Sequence, residues 1–130
     1  MNKFFIIILL IILPIPVYSS LPKTKIKACY DGDTCTTIYG ETIRLACIDT
    51  PEIKGKKSDP INALKARDFL NSLVANKEVS LRRITKDRYG RTVAEIFIDD
   101  ENIQELIVNK GYGKIYKKYA HQCDWSRSRI

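Results

Sequence analysis

Histidine is almost missing from these 130 residues, with His121 alone, and no C-x-x-C pair occurs. Both absences speak against zinc, whose protein sites are built from cysteine and histidine at short spacings. Beyond residue 19 there is no internal repeat, no low-complexity stretch and nothing resembling an interdomain linker, which excludes repeat arrays and two-domain organisation. An EF-hand is excluded as well. In the stretch D-G-D-T-C-T (residues 31–36), Cys35 and Thr36 stand where that loop needs an acid or amide and a glycine.

Long apolar runs are confined to the N-terminus. Residues 4–17 are apolar, follow Lys3, are broken by Pro14 and Pro16, and lead into Val17-Tyr18-Ser19. The run is shorter than the ~20 residues of a spanning helix, and its prolines and small-residue end predict a secretory signal peptide over 1–19, cut near Ser19. An uncleaved N-terminal anchor is the alternative. Residues 20–130, roughly 110 residues, suffice for one modest core and are expected to form a single domain. A secreted or periplasmic location follows, and with it an environment in which disulfides persist. Cys29, Cys35, Cys47 and Cys123 all lie beyond the cut. Four cysteines allow three pairings, and the sequence does not choose among them.

What is present in excess is positive charge. Lysine and arginine total 22 against 15 aspartate and glutamate, a net +7, and loss of Lys3 with the leader leaves +6. A small basic secreted protein is drawn to polyanions such as nucleic acid, anionic lipid and sulfated sugars.

Residues 25–30 alternate, with Ile26, Ala28 and Tyr30 facing one way and Lys25, Lys27 and Cys29 the other, which predicts a strand. Asp31-Gly32 predicts a hairpin turn, residues 34–39 and 42–48 two further strands around Gly40. Asp59-Pro60 supplies an N-cap and a first-turn proline, and Ala63, Ala66, Leu70, Leu73 and Val74 recur at helical spacing, with Lys65, Arg67, Asp68 and Asn71 on the wet side. Residues 78–84 and 92–98 are strands four and five, Ala94, Ile96 and Ile98 opposing Glu95 and Phe97. A short second helix is expected from Asn102, capped with the help of Glu105, to Gly111. The fold class is therefore mainly β with α (α+β): a five-stranded OB-fold barrel with a helix between strands three and four.

Chemistry gathers at one edge of that barrel. With the hairpin between strands two and three centred on Tyr39-Gly40 or Gly40-Glu41, facing residues sum to 79–81, and Asp33 lies beside residues 46–48. The beginning of strand two then meets the end of strand three, where I-D-T-P-E supplies Asp49 and Glu52. Carboxylates converging on a basic protein are costly unless a cation is shared among them, and oxygen-only donors suit a hard ion such as Ca²⁺. A plain strand end before Pro51 is the competing reading. Arg44 sits in a strand of Ile43, Leu45 and Cys47 and alternates toward the acidic edge, while Arg91 closes T-K-D-R-Y-G-R. Guanidinium groups bind phosphate by paired hydrogen bonds.

D-G-D-T (31–34), R-L-A-C-I-D-T-P-E (44–52) and D-R-Y-G-R (87–91), in that order with a helix between the second and third, closely resemble the thermonuclease (staphylococcal nuclease-like) family over about residues 26–119. The resemblance implies an oligonucleotide-binding barrel and Ca²⁺-dependent hydrolysis of DNA and RNA with low sequence specificity, giving 3′-phosphate products. It implies Asp33 and Asp49 as carboxylate ligands, Thr50 as a ligand through its backbone carbonyl, Glu52 as the base acting on water, and Arg44 and Arg91 as the grip on the scissile phosphate. Tyr89 and Tyr119 are candidates to flank the sugar or stack on a base, with Tyr112 and Tyr116 behind them, core packing being the competing reading for each. DNA and RNA, single-stranded or locally melted, are the expected partners of a monomer without stable membrane association after signal cleavage. The main departure is the end, H-Q-C-D-W-S-R-S-R-I, where relatives carry another amphipathic helix; Cys123 is the residue that would tie this shortened tail to the barrel. A non-catalytic OB-fold module that binds nucleic acid or protein is the alternative function.

Overall fold

The computed structural model describes residue 3, residues 10–14 and residues 20–130. The expected signal peptide and its cut near Ser19 fall largely outside the described residues. Strands β1 (Lys23–Asp31), β2 (Thr34–Thr37) and β3 (Thr42–Leu45) form an antiparallel meander, and a two-residue β4 (Ile48–Asp49) follows. Helix α1 (Pro60–Val74) leads to β5 (Glu78–Lys86), β6 (Thr92–Ile98) and β7 (Glu101–Asn102), then to α2 (Ile103–Asn109) and β8 (Lys114–Ile115). A 3₁₀ turn (Lys117–Gln122) and a short α3 (Asp124–Arg127) end the chain. Sheet order β3-β2-β1-β5-β6 closes on itself because β3 also pairs with β6 in parallel, which makes the five-stranded mixed barrel of an α+β OB-fold. Among the described residues no helix is long and apolar enough to cross a membrane.

Local signals place both helices. Asp59 accepts from the Asn62 N–H at 3.3 Å, Pro60 fills the first turn, and Ala63, Ala66, Leu70 and Val74 are buried, Leu70 and Val74 within the barrel core with Ile26, Ile43, Leu45, Val79, Leu81 and Ile96. Asn102 accepts from the Glu105 N–H at 3.0 Å, and Gly111 ends the second helix with a φ of 81°. Asn71 departs from the expected wet side. Its side chain accepts from the Cys29 N–H at 2.8 Å and donates to the Cys29 carbonyl at 3.0 Å, satisfying β1 backbone groups where α1 crosses them.

Strand phase differs from simple alternation in two places. An irregularity between Ile26 and Ala28 shifts the register of β1, so Ile26, Cys29 and Asp31 are buried while Ala28 and Tyr30 face out. The expected strand over 42–48 is divided at Cys47, whose left-handed φ of 67° no strand accommodates. That kink separates β3 from β4, and β4 pairs instead with β8. Glu95, expected on the polar face of β6, is buried; it takes a hydrogen bond from Arg82 Nε at 2.6 Å and one from Asn102 Nδ2 at 3.0 Å. Two disulfides form, Cys29–Cys35 across β1 and β2, and Cys47–Cys123 between the kink and the tail. The tail is thereby seated: Ala120, Cys123 and Ser126 are buried, and Arg82 donates to the Gln122 carbonyl at 2.7 Å.

Candidate functional site

Asp31 and Thr34 pair across a hairpin whose two tip residues are Gly32 and Asp33. A side chain at position 32 has no room, because its Cβ would stand 2.7 Å from Ala66 Cβ and 2.9 Å from Thr50 Oγ1. The tip is therefore pressed between α1 and the residues that follow β4, which carries Asp33 to Thr50. The Thr50 N–H donates to Asp33 Oδ2 at 3.2 Å, and the Thr34 hydroxyl donates to Asp33 Oδ1 at the same distance.

Register differs by a residue or more from the expected range. Thr34 faces Arg44 and Thr36 faces Thr42, so Asp33 meets Leu45, whose N–H donates to the Asp33 carbonyl at 2.8 Å. The turn is centred on Tyr39, one residue before Gly40. Asp49 nevertheless arrives beside Asp33, because the chain bends at Ala46 and Cys47 instead of running straight. One carboxylate oxygen from each of Asp33, Asp49 and Glu52 lies within 4.8 Å of the others. Asp33 is buried, Asp49 half-buried and Glu52 exposed.

Arg44 joins this group directly. Its Nη2 is 3.3 Å from Asp33 Oδ2 and donates to the Ile48 carbonyl at 3.0 Å, while Nη1 donates to the Leu45 carbonyl at 2.6 Å. Two carbonyls and a carboxylate thus hold the guanidinium in one orientation. Arg91 stands further off. Its Nε donates to Asp87 Oδ2 at 2.7 Å, its backbone N–H to Asp87 Oδ1 at 3.0 Å, and its two terminal nitrogens have no protein partner among the described residues.

The like charges are felt in the carboxyl groups. Burial, then the charges of Asp33 and Asp49, raise Glu52 above the usual carboxylate range, while Arg44 and Arg91 draw it back. Burial and the negative charges of Asp33 and Glu52 push Asp31 up from 3.8 to about 6, although the Asp33 N–H donates to its Oδ1 at 3.0 Å. Asp31 is the site residue that sequence reasoning took only as part of a turn. It stands two positions before Asp33 in the same motif. The donors are all oxygens, the acids crowd without enough protein cations, and the Thr50 hydroxyl is buried with no partner among the described residues. Such a set fits a hard divalent cation.

The candidate tyrosines are spread around this centre. Tyr89 is exposed beside Arg91, whose guanidinium carbon lies 5.4 Å from its ring centre. Tyr119 and Tyr116 pack edge to face at 5.0 Å, both partly open, and Tyr112 stacks on Phe69 at 4.3 Å.

The family model described as staphylococcal nuclease homologue matches residues 42–128, which include Arg44, Asp49, Glu52 and Arg91 and begin after Asp33. A protein of Haemophilus influenzae called an uncharacterized endonuclease is 41% identical over 95 residues, 70% of this chain and 51% of that protein. One of Escherichia coli O157:H7 with the same description is 31% identical over 119 residues, covering 88% and 74%, and endonuclease YncB of Bacillus subtilis is 29% identical over 107 residues, covering 76% and 50%. The chain thus spans about half the length of the Haemophilus and Bacillus relatives it matches. With two thirds of its residues under that family model, and a barrel and acidic edge arranged as described, this chain belongs to the staphylococcal nuclease homologue family.

Proposed function

We propose that the chain is an exported nuclease that hydrolyses phosphodiester bonds of DNA and RNA with Ca²⁺, at low sequence specificity, leaving 3′-phosphate ends. The observation that carries this reading is the meeting of three carboxylates with a fixed arginine at one barrel edge. Asp33, Asp49 and the Thr50 carbonyl are the groups that would hold the cation. When bound, the ion supplies positive charge to a phosphoryl oxygen and to water.

The chain's own residues do the rest. Glu52, its carboxyl raised by burial and by neighbouring acids, takes a proton from water, and the water oxygen attacks phosphorus. As the bond to the 5′ oxygen breaks, that oxygen takes a proton from solvent water and the upstream fragment keeps the phosphate. Arg44, already oriented by the Leu45 and Ile48 carbonyls, donates to the phosphoryl oxygens as their charge grows. Arg91 presents two terminal nitrogens that have no protein partner among the described residues, from a hairpin fixed by Asp87, a geometry suited to bidentate phosphate binding. Tyr89 and Tyr119 flank the sugar or a base.

Export is supported by the apolar leader-like run and by the two disulfides. Monomeric behaviour belongs to the same reading. The purified protein should hydrolyse single-stranded DNA and RNA with Ca²⁺ and stop with chelator, and end analysis should find 3′-phosphate. Equal rates in the two conditions, or no hydrolysis in either, sink the proposal.

A further inference from the structure

Beside the carboxylates lies an open groove of about 940 Å³, larger than a second recess of about 480 Å³ that Arg91 and Tyr89 line. Asp49, Thr50 and Glu52 line it together with Lys57, Lys65, Lys110 and Lys114. These four come from unrelated parts of the chain: the loop before α1, the outer face of α1, the end of α2, and β8. All four are exposed, and none forms an ion pair among the described residues. The acids in the groove are Asp49, Glu52 and Asp59, and Asp59 is occupied in capping α1, where Asn62 donates to both of its oxygens. Four lysines against three carboxylates leave the lining of the groove net positive by one charge, beside the acidic centre.

The backbone fixes that placement. Lys114 is directly opposite Asp49 in the β4–β8 pair, so the two side chains rise from the same face of that small sheet. Gly113 makes the approach possible, because a Cβ there would stand 2.9 Å from Thr50 Cγ2 and 3.1 Å from the Asp49 carbonyl. The loop carrying Lys57 is closed by the Asp59 N–H donating to the Glu52 carbonyl at 2.9 Å. Tyr112, backed by Phe69, adds an aromatic wall.

We propose that this groove is a backbone subsite in which Lys57, Lys65, Lys110 and Lys114 hold successive phosphates of a single nucleic-acid strand running away from the scissile bond. This rests on the nuclease reading above. Lysine binds phosphate as a point charge without reading bases, so the subsite adds affinity for length and not for sequence. The Arg91 recess is left to the strand on the other side of the bond. The enzyme therefore favours a strand over a dinucleotide.

The test compares the full chain with Lys65→Gln/Lys110→Gln and with Lys25→Gln/Lys27→Gln, a control pair on the exposed face of β1. Binding of a fluorescent oligothymidylate of about twelve nucleotides, a length within the span of an OB barrel, is followed by anisotropy in chelator over a range of salt. Each lost phosphate contact lowers the slope of log affinity against log salt by about 0.7, so the groove variant should lose about 1.4 and the control nothing. In Ca²⁺, the ratio of kcat/KM for the long strand to that for a dinucleotide should fall severalfold in the groove variant only. An unchanged slope and ratio overturn the subsite. Wild-type protein that hydrolyses neither substrate overturns the nuclease reading instead, and the binding slope still decides the groove.

Discussion

Replacing Asp31 by asparagine is expected to stabilise the protein when no divalent ion is present. Asp31 is buried, and its carboxyl rises to about 6 because ionisation strips it of water and sets it against Asp33 and Glu52. In the unfolded chain it titrates near 3.8. At about 1.4 kcal/mol per pH unit, keeping Asp31 ionised in the fold costs about 3 kcal/mol. The sign follows from proton linkage. Between 3.8 and about 6 the folded state binds more protons than the unfolded one, so stability falls as pH rises through this window and the full cost is present above it. Asparagine carries no charge and keeps an acceptor for the Asp33 N–H. Urea unfolding in chelator should therefore show Asp31→Asn more stable by up to about 3 kcal/mol at pH about 8, and equal to the wild type at pH about 3. Adding Ca²⁺ should shrink the difference, since a bound cation offsets the repulsion that asparagine removes. A variant that is less stable at pH about 8, or whose advantage is the same at both pH values, refutes the account of crowded like charges.

Arg44→Ala should lower kcat by about 10²- to 10³-fold, and Arg44→Lys should recover little, because a single ammonium cannot bond the Leu45 and Ile48 carbonyls and a phosphate together; steady-state assays check both. Glu52→Gln should cost about 10²- to 10⁴-fold in kcat without lowering the melting temperature, since the residue is exposed and its charge is repelled by Asp33 and Asp49. Replacing both Cys47 and Cys123 by serine opens a loop of 76 residues and should cost about 4.5 kcal/mol in urea unfolding, against about 2 for the six-residue Cys29–Cys35 link. Glu41, which accepts from both Arg83 and Thr92, has its carboxyl held below 4.5, foremost by the Arg83 hydrogen bond. Its stabilisation is present above 4.5 and lost as pH falls through the lowered value, so Glu41→Gln should flatten the acid limb of the stability profile, read from melting temperature against pH.

Legibility in the sequence followed the range of the interaction that decides each feature. Asp59 and Asn102 set helix starts by accepting from N–H groups three positions on, Pro60 by its fixed φ in the first turn, and both helices begin where those residues stand. The barrel order was legible because periodicity and turn residues are local too. What escaped depends on contacts between distant segments. Cys47 adopts its left-handed backbone next to a disulfide formed 76 residues later, and no neighbour in sequence announces that the strand must break there. Asn71 and Glu95 carry polar side chains inward because β1 offers a backbone N–H and carbonyl, and Arg82 and Asn102 offer donors. The centre itself divides in the same way. Asp33, Arg44, Asp49, Glu52 and Arg91 announce themselves by residue type within short motifs, whereas the lysines of the groove belong to four segments and share no motif. Their positions are individually unremarkable solvent-facing ones, gathered by the β4–β8 pairing, the close approach at Gly113, the loop closed between Glu52 and Asp59, and the seating of α1. The motifs thus carry the acidic centre, while the lysine-lined groove beside it is written in the packing of loops.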